Sequence, residues 1–169
     1  MRFTPAALAL SLALAITASS TVAAPPAVPL DARAAALVKL GRDALAAGNV
    51  QAAIDSYEAA YAVQPGHITI LLSLAEAARR QGMPGKALHY YRQVLSAEPN
   101  NEYAISGEGA ALVEKGAVEK AKLNLARLET LCGKDCAPTK LLAAAIARGP
   151  APRVVTAEQV QATPVVSPN

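Results

Sequence analysis

The sequence predicts an all-α fold built from stacked helical hairpins. Three observations predict it. First, a pattern recurs at a fixed period. Leu40-Gly41, Ala44, Gly48, Ala53, Tyr57, Ala60 and Pro65 return thirty-four positions later as Leu74-Ala75, Ala78, Gly82, Ala87, Tyr91, Val94 and Pro99. A third, weaker copy reads Glu108-Gly109, Leu112, Gly116, Ala121, Leu125, Leu128 and Gly133. Self-similarity at that period marks hairpins that cannot bury their apolar faces alone and stack to do so. Second, the chain of 169 residues has no Trp, one Phe and five Tyr. A composition rich in Ala and Leu favours helices packed closely through small residues over a broad β core. Third, Gly and Pro fall at regular intervals between apolar runs of helical spacing, as turns and helix ends require.

Each element follows in order. Residues 1–23 read as a secretory signal peptide: Arg2 gives a positive start, Ala6 to Ile16 an apolar stretch, and Thr17 to Ala24 a run of small residues. The apolar stretch is shorter than the roughly twenty residues a spanning helix needs. Cleavage is expected after Ala23, because Pro25 would hinder a cut after Ala24. Residues 24–31 read as a leader carrying Pro25, Pro26 and Pro29, ending in Asp31, a candidate N-cap.

A first helix over 32–47 places Ala36, Leu37, Leu40, Ala44 and Ala47 at helical spacing. Gly48-Asn49 breaks it, and a second runs over 50–63. The next hairpin spans 68–81 and then a helix opening on Pro84, at the position proline tolerates best, and stopping before Pro99. The third spans 101–115 and 117–131, and residues 138–148 form one more amphipathic helix. The tail, 149–169, with Pro150, Pro152, Pro164 and Pro168, reads as disordered.

The pattern resembles the tetratricopeptide repeat (TPR) family, in an exported, bacterial-type protein. The likeness covers repeats at 34–67, 68–101 and 102–135, with residues 136–148 as a capping helix. It implies a right-handed superhelix of three TPR-like hairpins plus that cap. Ala44 and Ala78 replace the usual aromatic. Repeat three departs at Glu108, Leu125 and Gly133. The register assigns Gly41, Ala75 and Gly109 to close approach of the second helix of each pair. It assigns Tyr57, Tyr91 and Leu125 to the space between hairpins.

The resemblance also implies a concave groove lined by the first helix of each pair. Arg42, Leu72, Glu76, Arg79, Arg80 and Tyr103 fall on it, with Val38, Leu45, Thr69, Ser106, Ala110 and Val113 between them. The arginines suit a partner's carboxylate, and Leu72 and Tyr103 suit apolar anchors. The family's carboxylate-clamp subclass uses Lys and Asn at defined positions. Val38 and Arg42 stand at two of those, so that specialised reading fails.

Cys132 and Cys136, the two cysteines, enclose Gly-Lys-Asp. An even count in an exported chain points to a structural disulfide. A redox pair and a metal site are the alternatives, but the spacing is not Cys-x-x-Cys and no third ligand is expected nearby. His67 and His89 read as helix-end or surface residues. Glu114-Lys115 and Glu119-Lys120 read as solvated charge. The sequence contains no Gly-x-Ser-x-Gly elbow, phosphate-binding Gly-rich loop or His pair at metal-binding helical spacing. The net charge of +3 is dispersed, which excludes the basic stripe of a nucleic-acid binder. The expectation is therefore a non-catalytic scaffold or adaptor in the cell envelope, periplasmic or secreted. It would have no cofactor, no metal, no small-molecule substrate and no membrane span after cleavage, and would bind a protein or peptide in its groove. The alternatives are a structural subunit of an envelope, secretion or pilus assembly complex and, behind it, a redox protein using Cys132 and Cys136.

Overall fold

The computed structural model describes residues 28–150, which form seven α-helices and no strand. They are α1 (Ala32–Ala46), α2 (Val50–Val63), α3 (Ile68–Arg80), α4 (Pro84–Ala97), α5 (Glu102–Glu114), α6 (Val118–Cys132) and α7 (Ala137–Arg148). Helices α1/α2, α3/α4 and α5/α6 pair as hairpins, each stacks on the next, and α7 packs on α5 and α6. The expected all-α hairpin fold is the one observed. Residues 1–23, read as a signal segment, most of the expected leader and nearly all of the expected tail lie outside the described residues.

The hairpins are alike because their turns are alike. Gly48, Gly82 and Gly116 have φ of 80°, 76° and 82°, a left-handed conformation that glycine adopts without a Cβ penalty. The residue after each glycine donates its N–H back across the helix end: Asn49 to Ala44 O at 2.9 Å, Met83 to Ala78 O at 2.9 Å, Ala117 to Leu112 O at 2.8 Å. This six-to-one closure satisfies carbonyls that a helix end otherwise leaves open. The first helices have side-chain N-caps. Asp31 Oδ1 accepts from Arg33 N at 2.8 Å and Ala34 N at 3.2 Å. His67 Nδ1 accepts from Thr69 N at 3.2 Å, and Asn101 Oδ1 from Ala104 N at 2.9 Å.

Two apolar clusters run along the stack. One joins the first hairpin to α3 through Ala34, Val38, Ala53, Tyr57, Ile70 and Leu74. The other runs from Leu71 through Tyr91, Ile105 and Leu128 to Leu142 on α7. Leu142 is fully buried, a burial that contributes about 1.5–3 kcal/mol. Small residues set the spacing, though not always against the expected partner. A Cβ on Gly41 would lie 2.6 Å from Tyr57 Cδ1 in its own hairpin, as the register requires. A Cβ on Gly109 would instead lie 2.6 Å from both Leu142 Cδ atoms, so this glycine admits α7, not α6.

The end of the leader is tied to the stack. Asp31 N donates to Gln64 Oε1 at 2.8 Å, Gln64 Nε2 donates to Pro29 O at 3.1 Å, and His67 Nε2 lies 3.1 Å from Val28 O. Leu30 packs on the first cluster.

Candidate functional site: the concave groove and the α6–α7 junction

The first helices of the hairpins, joined by α7, form a groove with two recesses. The first recess holds about 310 Å³ and is lined by Arg42, Leu45, Tyr57, Thr69, Leu72, Ser73 and Glu76. The second holds about 380 Å³ and is lined by Leu72, Glu76, Arg79, Tyr91, Tyr103, Ser106, Gly107, Ala110, Leu141, Ala145 and Arg148. Leu72 and Glu76 line both and so separate them. Of the six groove residues expected from the sequence, Arg42, Leu72 and Glu76 meet in the first recess. Leu72, Glu76, Arg79 and Tyr103 meet in the second. Arg80 lines neither, and Val38 is fully buried in the core.

The floor of the second recess follows from two local choices. A Cβ on Gly107 would lie 2.5 Å from Tyr91 Oη and closer still to Cζ and Cε1. Only glycine lets the ring of the preceding hairpin reach this far, so Tyr91 both fills the stack and floors the recess. Burial pushes the Tyr91 phenol up to about 12, with Glu76 adding to the shift and Arg79 opposing it. Burial also raises Tyr57, against the pull of Arg42 and Arg80. At the rim, Tyr103 and Leu141 are 63% and 62% exposed, an apolar pair placed to meet something else.

The recess is charged along one wall. Arg79 donates from Nη1 to Glu76 Oε2 at 2.9 Å, and from Nε and Nη2 to Glu114 Oε1 at 3.0 and 2.6 Å. Arg80 Nε donates to Glu76 Oε1 at 3.0 Å. Burial works against the Arg79 charge, but the hydrogen bond to Glu114 and the nearby negative charges outweigh it, so the guanidinium is held more firmly protonated than usual. Its donors are largely occupied from within the chain. Glu114 is therefore part of the groove's charge network, not merely solvated charge. Arg148, at the end of α7, has no ion-pair partner among the described residues.

At the far end, Cys132 and Cys136 are joined by a disulfide, with Cα atoms 5.9 Å apart. It ties the last residue of α6 to the N-cap of α7. Thr139, buried, donates to Gly133 O at 2.9 Å, and its Oγ1 lies 3.0 Å from Cys136 Sγ and 3.6 Å from Cys132 Sγ. Ser106 Oγ, also buried, donates to Pro138 O at 2.9 Å. Together these contacts hold α7 as a wall of the groove. The expectation of no nearby third ligand does not survive folding. The Glu102 carboxylate and both sulfurs lie within 4.8 Å of one another, all half-buried. The reason is register: Glu102 stands thirty-four positions before Cys136, and equivalent positions of successive first helices are neighbours in a stack.

The family model described as tetratricopeptide repeat matches residues 38–102. Residues 38–102 are therefore similar to tetratricopeptide repeats. Solved TPR structures share the fold. The first TPR of Spaghetti (RPAP3), bound to the HSP90 peptide SRMEEVD, superimposes with a TM-score of 0.62 at 20% identity, covering 73% of this chain and 97% of that one. The first TPR domain of human RPAP3 gives 0.59 at 21%, covering 69% and 94%. No curated protein matches the sequence.

Within the helical stack, sequence reasoning missed Tyr91, Gly107, Leu141, Ala145 and Arg148 as groove residues. The signal was present for α7. Leu141 lies thirty-four positions after Gly107, and Arg148 thirty-four after Glu114. Helix α7 therefore continues the register as the first helix of a fourth hairpin. Reading it only as a cap hid its groove face.

Proposed function

We propose that this TPR chain is a non-catalytic scaffold that binds a protein or peptide partner in its concave groove. The observation that carries the reading is the second recess. It combines an apolar floor at Tyr91, an exposed apolar rim at Tyr103 and Leu141, and a cation at Arg148 with no ion-pair partner among the described residues. That is the anchor-plus-charge arrangement that captures an extended segment or a helix face. Because Arg79 and Arg80 are engaged with Glu76 and Glu114, Arg148 and the rim residues carry the contact, with Arg42 serving the first recess. The neighbour bound to an HSP90 peptide supports groove binding as a mode of this fold; the partner here is a different segment, because the clamp positions differ.

We place the protein in the periplasm or outside the cell, on the signal-like residues 1–23. The disulfide supports this, since such bonds persist in oxidising compartments. N-terminal sequencing of the exported protein should read from Ala24.

A photo-crosslinker at Tyr103 tests the groove. The expected result is a discrete adduct from the cell envelope that is lost in Leu141→Asp and Arg148→Glu. Adducts unchanged in both variants would overturn the reading. One observation favours a second reading, that of a structural subunit of an envelope, secretion or pilus assembly complex. Arg33, Ala36, Leu37, Leu40, Ala59, Ala62 and Val63 line an apolar recess of about 800 Å³ on the first hairpin, away from the groove, with Leu40 57% exposed. Crosslinks from Leu40 in place of Tyr103 would support it.

A further inference from the structure

We propose that Glu102, Cys132 and Cys136 form a zinc-class divalent cation site when the cysteines are reduced, so that the pair alternates between a disulfide and a metal centre. Three helices converge here. Glu102 opens α5, Cys132 closes α6 and Cys136 caps α7, and their three donor atoms lie within 4.8 Å of one another. Zn–S bonds of about 2.3 Å in a tetrahedral site put two thiolates roughly 3.8 Å apart. Cα atoms 5.9 Å apart accommodate that by side-chain rotation alone, without moving either helix. Two thiolates and one carboxylate suit zinc by donor softness and leave a fourth position for water.

The surroundings favour the charged ligands. The N-termini of α5 and α7 both face the site through Glu102 and Cys136, and helix N-termini stabilise anions. The C-terminus of α6 at Cys132 opposes them, two dipoles against one. The Thr139 hydroxyl lies 3.0 Å from Cys136 Sγ and would orient that ligand by turning its proton from Gly133 O to the thiolate.

The chemistry balances as follows. A dithiol reductant gives two electrons to the Cys132–Cys136 bond and leaves as its own disulfide, while the two sulfurs take up two protons. Zinc then displaces those protons, forming two Zn–S bonds and one Zn–O bond to Glu102, with water as the fourth ligand. Two-electron oxidation by a disulfide reverses the sequence and releases the metal. The two states exclude each other, and both hold α7 to the stack.

The test uses the full chain, reduced with a phosphine, desalted without oxygen and titrated with Zn²⁺ by calorimetry and with Cd²⁺ by sulfur-to-metal ultraviolet absorption. The expected result is one metal per chain with a dissociation constant at or below about 1 μM, and none for the oxidised protein. Glu102→Gln should weaken binding about tenfold or more while the disulfide still forms in air. Cys132→Ser with Cys136→Ser should abolish the cadmium absorption. Circular dichroism of each sample checks that the helices persist. Failure of the reduced chain to bind one equivalent would overturn the proposal. So would a dithiol form that unfolds and is not restored by zinc, or an affinity unchanged in Glu102→Gln, which would mean that the cysteines bind metal without a built site.

Discussion

Gly107→Ala sets two effects of opposite sign against each other in the middle of α5. Alanine is the better helix former, and replacing an interior glycine gains about 1 kcal/mol. The new methyl, however, would sit 2.5 Å from Tyr91 Oη and nearer still to two ring carbons, well inside van der Waals contact. The ring is 3% exposed and belongs to the main apolar cluster with Leu71, Ala75, Ala87 and Ile105. Such a ring can move only by displacing its neighbours, and overpacking of this kind costs about 1–3 kcal/mol. A contact this short puts the steric cost at the upper end of that range, so the steric term wins, with a net destabilisation of about 2 kcal/mol once the helix gain is subtracted. Urea unfolding of the full chain followed by circular dichroism measures it. Gly85→Ala is the control: it is also helical, and the nearest atom to its new methyl is Lys115 Nζ at 3.9 Å. That variant should be stabilised by a few tenths to about 1 kcal/mol. Adding Tyr91→Leu to Gly107→Ala should produce less than the sum of the two single losses, because the clash then has no ring to meet. A Gly107→Ala protein as stable as the parent would refute the close approach, and with it the account of how the recess acquires its floor.

Three further outcomes follow from the same geometry. Leu142→Ala should cost about 2–5 kcal/mol, because this fully buried side chain fills the space Gly109 leaves; a smaller loss in urea unfolding would mean that α7 is weakly docked. Asp31→Ala should cost about 1 kcal/mol through the lost N-cap of α1, and Asp31→Asn should recover most of it, since the amide oxygen can accept from Arg33 N and Ala34 N. Tyr91, raised from 10.0 to about 12, stays neutral in the folded chain after it ionises in the unfolded one. Its contribution is whole below pH 10 and is lost as pH rises through about 12, and two pKa units correspond to about 3 kcal/mol. Tyr91→Phe should flatten that part of the alkaline stability curve, and an unchanged slope would show that the phenol is not what titrates.

How much of this was legible in the sequence depended on whether a residue's role was local or relational. The hairpin turns were legible because Gly48, Gly82 and Gly116 impose their backbone conformation without help from the rest of the chain. Asp31 as an N-cap was legible for the same reason. The tyrosines were legible as packing residues, since a thirty-four-residue register says which side chains face the next hairpin. The same register carried more than composition or motif reading drew from it. It places Leu141 and Arg148 on the groove as continuations of Gly107 and Glu114, and it sets Glu102 beside Cys136, two residues far apart in the chain. What no period could supply is charge pairing. Arg79 meets Glu114 rather than remaining open to a partner because two side chains from neighbouring first helices have the reach to close on each other. That depends on rotamers and burial, not on position in a repeat. Among the described residues, the groove cations left without an ion-pair partner are therefore Arg42 in the first recess and Arg148 on α7, where the Cys132–Cys136 link fixes the wall.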